Sequence, residues 1–252
     1  MTMLRIIDDT SHDAAFNMAE DLRLLDSCVE DEAVVLRLYS WDPPAVSLGC
    51  MQKPEQTLDL ESLRAAGFGW VVRPTGGRAI LHHDDLTYCI VFPKRIAAMG
   101  SSVAESYAVI SRCLQRGCTL AGIATQAHDS VLDSREVRRK IKLPCFLAPN
   151  RDEIMAGGHK LAGSAQKRTA RAVLQHGSVP LSGAFRELPE FMRISDSERR
   201  AQKRLLARKC ACVRDIVPEM SMGRFRECIR RGFVEELGFE VIDIPVASVG
   251  SS

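Results

Sequence analysis

The chain has 252 residues, 46% hydrophobic and 26% charged, with a formal net charge of +2. These proportions fit one large globular domain or a domain with a small appendage, and they exclude a disordered chain and a generally polybasic nucleic-acid binder. No apolar run reaches the roughly 18 residues a membrane helix needs.

The opening stretch, MTMLRIIDDTSHD, turns acidic at once, unlike a secretory leader. Nine cysteines without framework spacing suit a reducing compartment. The expectation is a cytoplasmic protein with no membrane association.

In chain order, Ala15, Met18, Leu22 and Leu25 recur at helical spacing and predict a helix over 11–27. Segments 33–39 and 44–49 read as strands separated by Asp42, Pro43 and Pro44. A helix over 57–66 stops at Gly67, and 68–73 and 86–92 read as strands around a glycine-containing segment. Ser102 and Glu105 form a capping-box pattern opening a helix that ends before Gly122. Segments 152–156 and 159–166 predict a hairpin closed by Gly157-Gly158, a pair that tolerates the positive φ angles of a two-residue turn. A strand over 171–181 follows. Ser195 and Glu198 then cap a basic helix, Phe225, Ile229, Phe233 and Leu237 line another, and 239–244 reads as a last strand.

This order of elements predicts an α+β fold with mixed, largely antiparallel sheets and packed helices. The division expected is a main domain over 1–183 and a small helical C-terminal part over 184–252, packed on the same domain. Two basic clusters stand out, REVRRKIK at 135–142 and RRAQKRLLARK at 199–209. They read either as solvated faces or as a landing site for an acidic partner. No aromatic residues interleave with them, which disfavours nucleic acid.

Three segments can carry chemistry. In the first, Arg73 to His82, Gly76 and Gly77 next to Arg78 let the backbone approach a ligand, or simply turn between strands. His82 and His83, adjacent in an extended segment, point to opposite faces and do not chelate one metal. In the second, Cys145 sits between Pro144 and Pro149 in a stiff loop, so it is less easily read as a core cysteine. Lys160 follows the Gly-Gly turn, faces Met155 across the hairpin and shares a face with Ala162 and Ser164; the alternative is an exposed edge-strand lysine. A cation near a cysteine favours thiolate and stabilises an oxyanion, but sequence alone does not bring Cys145 and Lys160 together. In the third, His176 lies before Gly177 in a strand, where glycine marks a close approach to the backbone. Cys210 and Cys212 lack a second ligand pair, and there is no Walker-type loop or dinucleotide fingerprint.

Seven ordered segments carry a resemblance: 13–20, 39–49, 73–82, 86–88, 144–146, 160–166 and 175–178. Together they resemble the lipoate/biotin protein ligase superfamily, most closely its cysteine–lysine octanoyltransferase branch. The resemblance implies that superfamily's catalytic-domain fold. It implies that Cys145 takes the acyl group as a thioester and that Lys160 holds and polarises the donor carbonyl. Arg73, Gly76, Gly77, Arg78, His82, Gly163, Ser164, Ala165 and His176 are the implied substrate-binding residues. The implied donor is octanoyl acyl carrier protein, and the implied acceptor is the lysine of a lipoyl domain or glycine-cleavage H protein. No cofactor or metal is implied.

The chain departs from the pattern at His83, where these transferases often carry an acidic residue. Its glycine run lacks the third glycine of lipoate ligases, and the Cys145 loop lacks their glycine–arginine–asparagine–aspartate string. Both differences favour transferase over ligase. The other readings are an ATP-dependent lipoate–protein ligase, an octanoyl amidotransferase between carrier proteins, and a non-catalytic lipoyl-domain binding module.

Overall fold

A computed structural model describes residues 2–29, 32–127 and 154–245. Cys145 and the basic cluster at 135–142 lie outside the described residues.

The chain opens with β1 (Met3–His12), α1 (Ala14–Ser27), β2 (Ala33–Trp41) and β3 (Ala45–Leu48). Two short helices, α2 (Pro54–Thr57) and α3 (Leu60–Ala65), lead to β4 (Gly69–Val72), β5 (Ile80–His82) and β6 (Asp85–Pro93). After α4 (Val103–Leu120) come β7 (Gln126–Ala127), β8 (Ile154–Ala156), β9 (His159–Lys160), β10 (Gly163–Arg168) and β11 (Ala172–Pro180). A 3-10 helix over Gly183–Phe191 precedes α5 (Asp196–Lys209), α6 (Val213–Ile216), α7 (Met222–Leu237) and β12 (Glu240–Asp243).

Six strands form the central sheet in the order β10-β11-β6-β2-β1-β12. The pairs from β10 to β2 are antiparallel, and β1 is parallel to both β2 and β12. A second sheet has the order β4-β3-β5 and a third β7-β8-β9, so the fold is α+β with mixed sheets, as the element order predicted.

The period-2 alternation of a strand sorts the central sheet's residues onto two faces. Val34, Leu36 and Leu38 of β2 join Leu86, Tyr88, Ile90 and Phe92 of β6 in the core under α4 and α7. Val35, Tyr39 and Trp41, with Cys89 and Val91, face the other way, toward α1. Arg37, Thr87, His176 and Ser178 share that second register, so polar side chains are buried on the α1 side.

The α4–α7 contact is close enough to need glycine on both helices. A Cβ on Gly232 would meet the Gly117 nitrogen at 2.4 Å, and one on Gly117 would meet Ile229 Cα at 2.8 Å. β12 extends the central sheet beside β1. Among the described residues, no helix is long and apolar enough to cross a membrane.

Several sequence expectations need correction. β1 lies where no strand was expected; only Leu4 and Ile6 alternate inward before the polar run from Asp8 to His12 masks the pattern. The first helix begins at Ala14, because Asp13 is its N-cap and accepts from the Phe16 amide at 2.8 Å. Its buried stripe is Ala14, Asn17, Met18, Asp21, Leu24 and Leu25, whereas Ala15 and Leu22 are exposed. Two polar residues belong to that stripe, which a purely apolar periodicity passes over. The helix expected over 57–66 is divided into α2 and α3, the second capped by Asp59. The capping boxes at Ser102 and Ser195 form as expected.

The Gly157-Gly158 hairpin also forms, with Met155 opposite Lys160. Its second arm ends at Lys160, however. Leu161 and Ala162 turn into the core, the Leu161 amide donating to the Ile154 carbonyl at 2.8 Å. The chain resumes as β10 in the central sheet. Lys160 and Ser164 therefore belong to different sheets and do not share the face of one strand.

Candidate active site

A cleft of about 370 Å³ opens on the α1 side of the central sheet, against the β4-β3-β5 sheet. Six of the residues expected from sequence line it: Arg73, His82, Gly163, Ser164, Ala165 and His176. Met18, Tyr39, Trp41, Ser47 and Ile80, which sequence reasoning missed, also line it. Thr87, Gly177 and Ser178 come from the two central strands. Gly76, Gly77, Arg78 and Lys160 do not line it among the described residues.

Two hydrogen-bonded networks build the walls. In the first, an Asp85 carboxylate oxygen accepts from His82 Nδ1 at 2.9 Å, from Thr87 Oγ1 at 3.1 Å and from the Ser178 hydroxyl. The Trp41 indole N–H donates to Thr87 Oγ1 at 2.8 Å, and its ring stacks on His82 at 4.0 Å between centroids. A carboxylate on Nδ1 holds the proton there, which leaves His82 Nε2 to accept from the Ser47 hydroxyl at 2.8 Å. Asp85 is the carboxylate partner of His82; its signal in sequence is only a carboxylate three positions on. His83 turns away and meets the Phe68 ring edge-on at 5.4 Å.

Arg73 is buried and acts on its own segment. Its guanidinium donates to the Ser47 carbonyl and hydroxyl, and to the carbonyls of Gly76 and Arg78, both at 2.8 Å. The segment 73–78 is thus folded around its first arginine. Gly77 takes φ 98°, and a Cβ on Gly49 would lie 2.1 Å from the Gly77 oxygen, so the two backbones touch. This explains why Gly76, Gly77 and Arg78 form a turn at the rim and not the cleft wall.

The second network surrounds Arg37, which is fully buried. It donates to Asp9 at 2.8 Å, to Asp21 at 3.0 Å and to the side-chain oxygen of Asn17 at 2.8 Å. Burial alone would raise the Asp9 carboxyl, but hydrogen bonds from His12 and Arg37 overcome it and hold it below its usual range. Tyr39 donates to Asp21, and burial with that neighbouring carboxylate pushes its phenol well above its ordinary value. His176 joins the network through Asp21 and reaches Thr75 Oγ1 at 2.7 Å with its other nitrogen.

These polar side chains bond to one another, and the surface they leave to the cleft is apolar. Such a lining suits a hydrocarbon chain: no wall group loses a hydrogen bond when water leaves.

Lys160 is buried, with 5% exposure, which excludes the exposed edge-strand reading. Its carbonyl accepts from the Ala211 amide at 2.9 Å, and its backbone bridges Cys210 just beyond α5. Cys210 and Cys212 sit in an apolar cluster with Ile80, Phe185 and Leu206. Among the described residues, no group of three or more His, Cys, Asp or Glu side chains is placed to hold a metal.

Residues 13–234 match the model of the lipoyl protein ligase A/B catalytic domain. The chain belongs to that family. Family members that it resembles include an octanoyltransferase LipM of Kyrpidia tusciae, 38% identical, the match covering 94% of this chain and 88% of that protein. Another is the octanoyltransferase LipM of Staphylococcus aureus, 34% identical over 93% of this chain and 87% of the relative. In fold, this lipoyl ligase-type domain is similar to the bipartite lipoate protein ligase of Thermoplasma acidophilum, with a TM-score of 0.80, 18% identity, and coverage of 98% of this chain and 89% of that one. It is also similar to a lipoate-protein ligase A solved with ATP, with a TM-score of 0.76 and 20% identity over 97% of this chain and 89% of that one.

Proposed function

We propose a two-step route for this octanoyltransferase of lipoate biosynthesis. Octanoyl acyl carrier protein is the donor, and the lysine of a lipoyl domain or glycine-cleavage H protein is the acceptor, in the cytoplasm. The Cys145 thiolate attacks the donor thioester carbonyl, the bond to the carrier's sulfur breaks, and that thiolate takes up a proton. The acceptor's neutral amine then attacks the Cys145 thioester. An amide forms, the Cys145 thiolate leaves, and the amine gives up a proton.

Lys160 holds the carbonyl and stabilises the oxyanion in both steps. A thioester is already activated, so neither ATP nor a metal is needed. The observation that carries this reading is the apolar cleft, whose polar wall residues are engaged with one another. It sits in a chain whose full-length relatives are named octanoyltransferases. Gly163, Ser164 and Ala165 would lie along the acyl chain, with His82 and His176 shaping the wall through their carboxylate partners.

The test offers an apo lipoyl domain either with octanoyl acyl carrier protein alone or with free octanoate or lipoate, magnesium and ATP. Mass spectrometry should show modification in the first mixture. Modification in the second mixture only would replace the transferase by a ligase.

A further inference from the structure

We propose that the outer face of α5 is the docking surface for the acidic acyl carrier protein that delivers the octanoyl group. This rests on the donor assigned above.

The helix divides its residues among three faces. Gln202 and Leu206 are buried. Arg199 and Lys203 are taken up by Glu190 of the preceding 3-10 helix, at 3.6 and 2.6 Å. Arg200, Arg204 and Arg208 are exposed and make no ion pair among the described residues. They recur every fourth residue, which sets three guanidinium groups in one stripe about 12 Å long.

The stripe is not explained by the helix itself. Like charges four residues apart weaken a helix. The helix dipole accounts for Arg208 and Lys209 in the last turn, as it does for Asp196 and Glu198 in the first, but not for Arg200 and Arg204 in the middle. Guanidinium groups pair with carboxylates through two parallel hydrogen bonds, so the stripe fits an acidic helical surface.

Its position suits a carrier that has to deliver an acyl chain to the cleft. Leu206 and Cys210 pack with Ile80, which lines the cleft. Cys210, the first residue after the helix, bridges the backbone of Lys160, to which the donor carbonyl is assigned. A carrier seated on the stripe is one helix width, about 10 Å, from the cleft wall and that strand.

The experiment compares the wild-type protein with R200Q/R204Q/R208Q, which keeps helix propensity, and with the corresponding triple glutamate variant. Binding of labelled holo acyl carrier protein is measured by fluorescence anisotropy at low and high salt. Acylation is measured with octanoyl acyl carrier protein and with a small octanoyl thioester. The glutamine variant should bind the carrier and react with its octanoyl form about tenfold less well at low salt, and the glutamate variant worse still. The wild type's salt sensitivity should disappear, while acylation by the small thioester and the KM for the lipoyl domain stay within twofold.

Unchanged carrier binding in both variants would overturn the proposal, and equal losses with the small thioester would make the stripe structural. A loss confined to the KM for the lipoyl domain would assign the face to the acceptor. If the wild type binds the carrier through the stripe but is acylated by neither donor, the activity fails and the surface stands. If it transfers octanoyl from the small thioester without binding the carrier, the surface fails and the activity stands.

Discussion

His176 places its Nδ1 2.9 Å from a carboxylate oxygen of Asp21, 155 residues earlier in the chain. The same carboxylate accepts from Arg37 and Tyr39, and the other nitrogen of His176 reaches Thr75 in the glycine segment. One wall of the cleft is therefore fixed to α1 and β2 through a single buried aspartate.

Asp21→Asn should be the more damaging of two changes in this wall. It leaves the fully buried Arg37 with Asp9 as its remaining carboxylate and costs about 3–5 kcal/mol. His176→Ala leaves Asp21 and Thr75 each short of one partner and costs about 1–3 kcal/mol. Chemical denaturation of both variants checks the order. A His176 variant less stable than the Asp21 variant would mean that the charge balance around Arg37 does not dominate here.

Native-state alkylation at neutral pH should mark Cys50 and Cys145. Cys50 is exposed, and seven other cysteines are buried. Burial pushes Cys113 and Cys118 up to about 12 and raises Cys89, Cys212 and Cys228. Prior treatment with an octanoyl thioester should protect Cys145 alone and leave a hydroxylamine-sensitive adduct there. Cys145→Ala should abolish transfer, and Lys160→Met should slow acyl-enzyme formation about a hundredfold. Lys160→Arg keeps the charge but not the geometry and should still lose much of the rate. Peptide mapping that places the octanoyl group on Cys50 would sink the assignment.

Gly177→Ala should raise the KM for the octanoyl donor. The new Cβ would lie 2.6 Å from the Gly163 oxygen and 2.6 Å from Tyr88 Cε1, on the Tyr88 face of the sheet, behind the Gly177 backbone that lines the cleft. Gly163 presents backbone there, so β10 has to shift, at about 1–3 kcal/mol. Unchanged donor KM and stability would show that the strand pair yields without affecting the cleft.

Glu105 should contribute to the acid limb of stability. Hydrogen bonds from Ser101 and Ser102 in the cap of α4 bring its carboxyl down to about 2. A carboxyl depressed in the folded state stabilises above its unfolded value, near 4.5, and that contribution is lost as pH falls toward 2. Thermal midpoints measured from neutral pH downward should therefore fall less steeply for Glu105→Ala, starting from a lower plateau. Parallel curves for variant and wild type would remove Glu105 from the acid response.

Local signals were legible wherever one short segment carried its own reason. Ser102 with Glu105 and Ser195 with Glu198 read as capping boxes and are capping boxes. Gly157-Gly158 read as a two-residue turn and set Met155 against Lys160. The ordered motifs pointed to the family, and six of the expected binding residues meet in one cleft.

The rest depended on partners distant in sequence. Asn17 and Asp21 sit on the inner stripe of α1 because Arg37 lies opposite, 20 and 16 residues away, and hydrophobic periodicity does not register a buried polar residue that has found its mate. The Asp85 carboxylate gathers Ser178, 93 residues on, together with His82 and Thr87 only once β5, β6 and β11 are assembled. The chain left its hairpin after Lys160 because Leu161 and Ala162 gained more by entering the core than by continuing a two-residue strand. The sequence by itself determined most of the elements, the capping boxes at Ser102 and Ser195 and the chemistry available. The tertiary structure decided which elements share a sheet, which polar residues lie inside, and where the cleft runs, because burial and hydrogen bonding are satisfied across the whole fold and not along the chain.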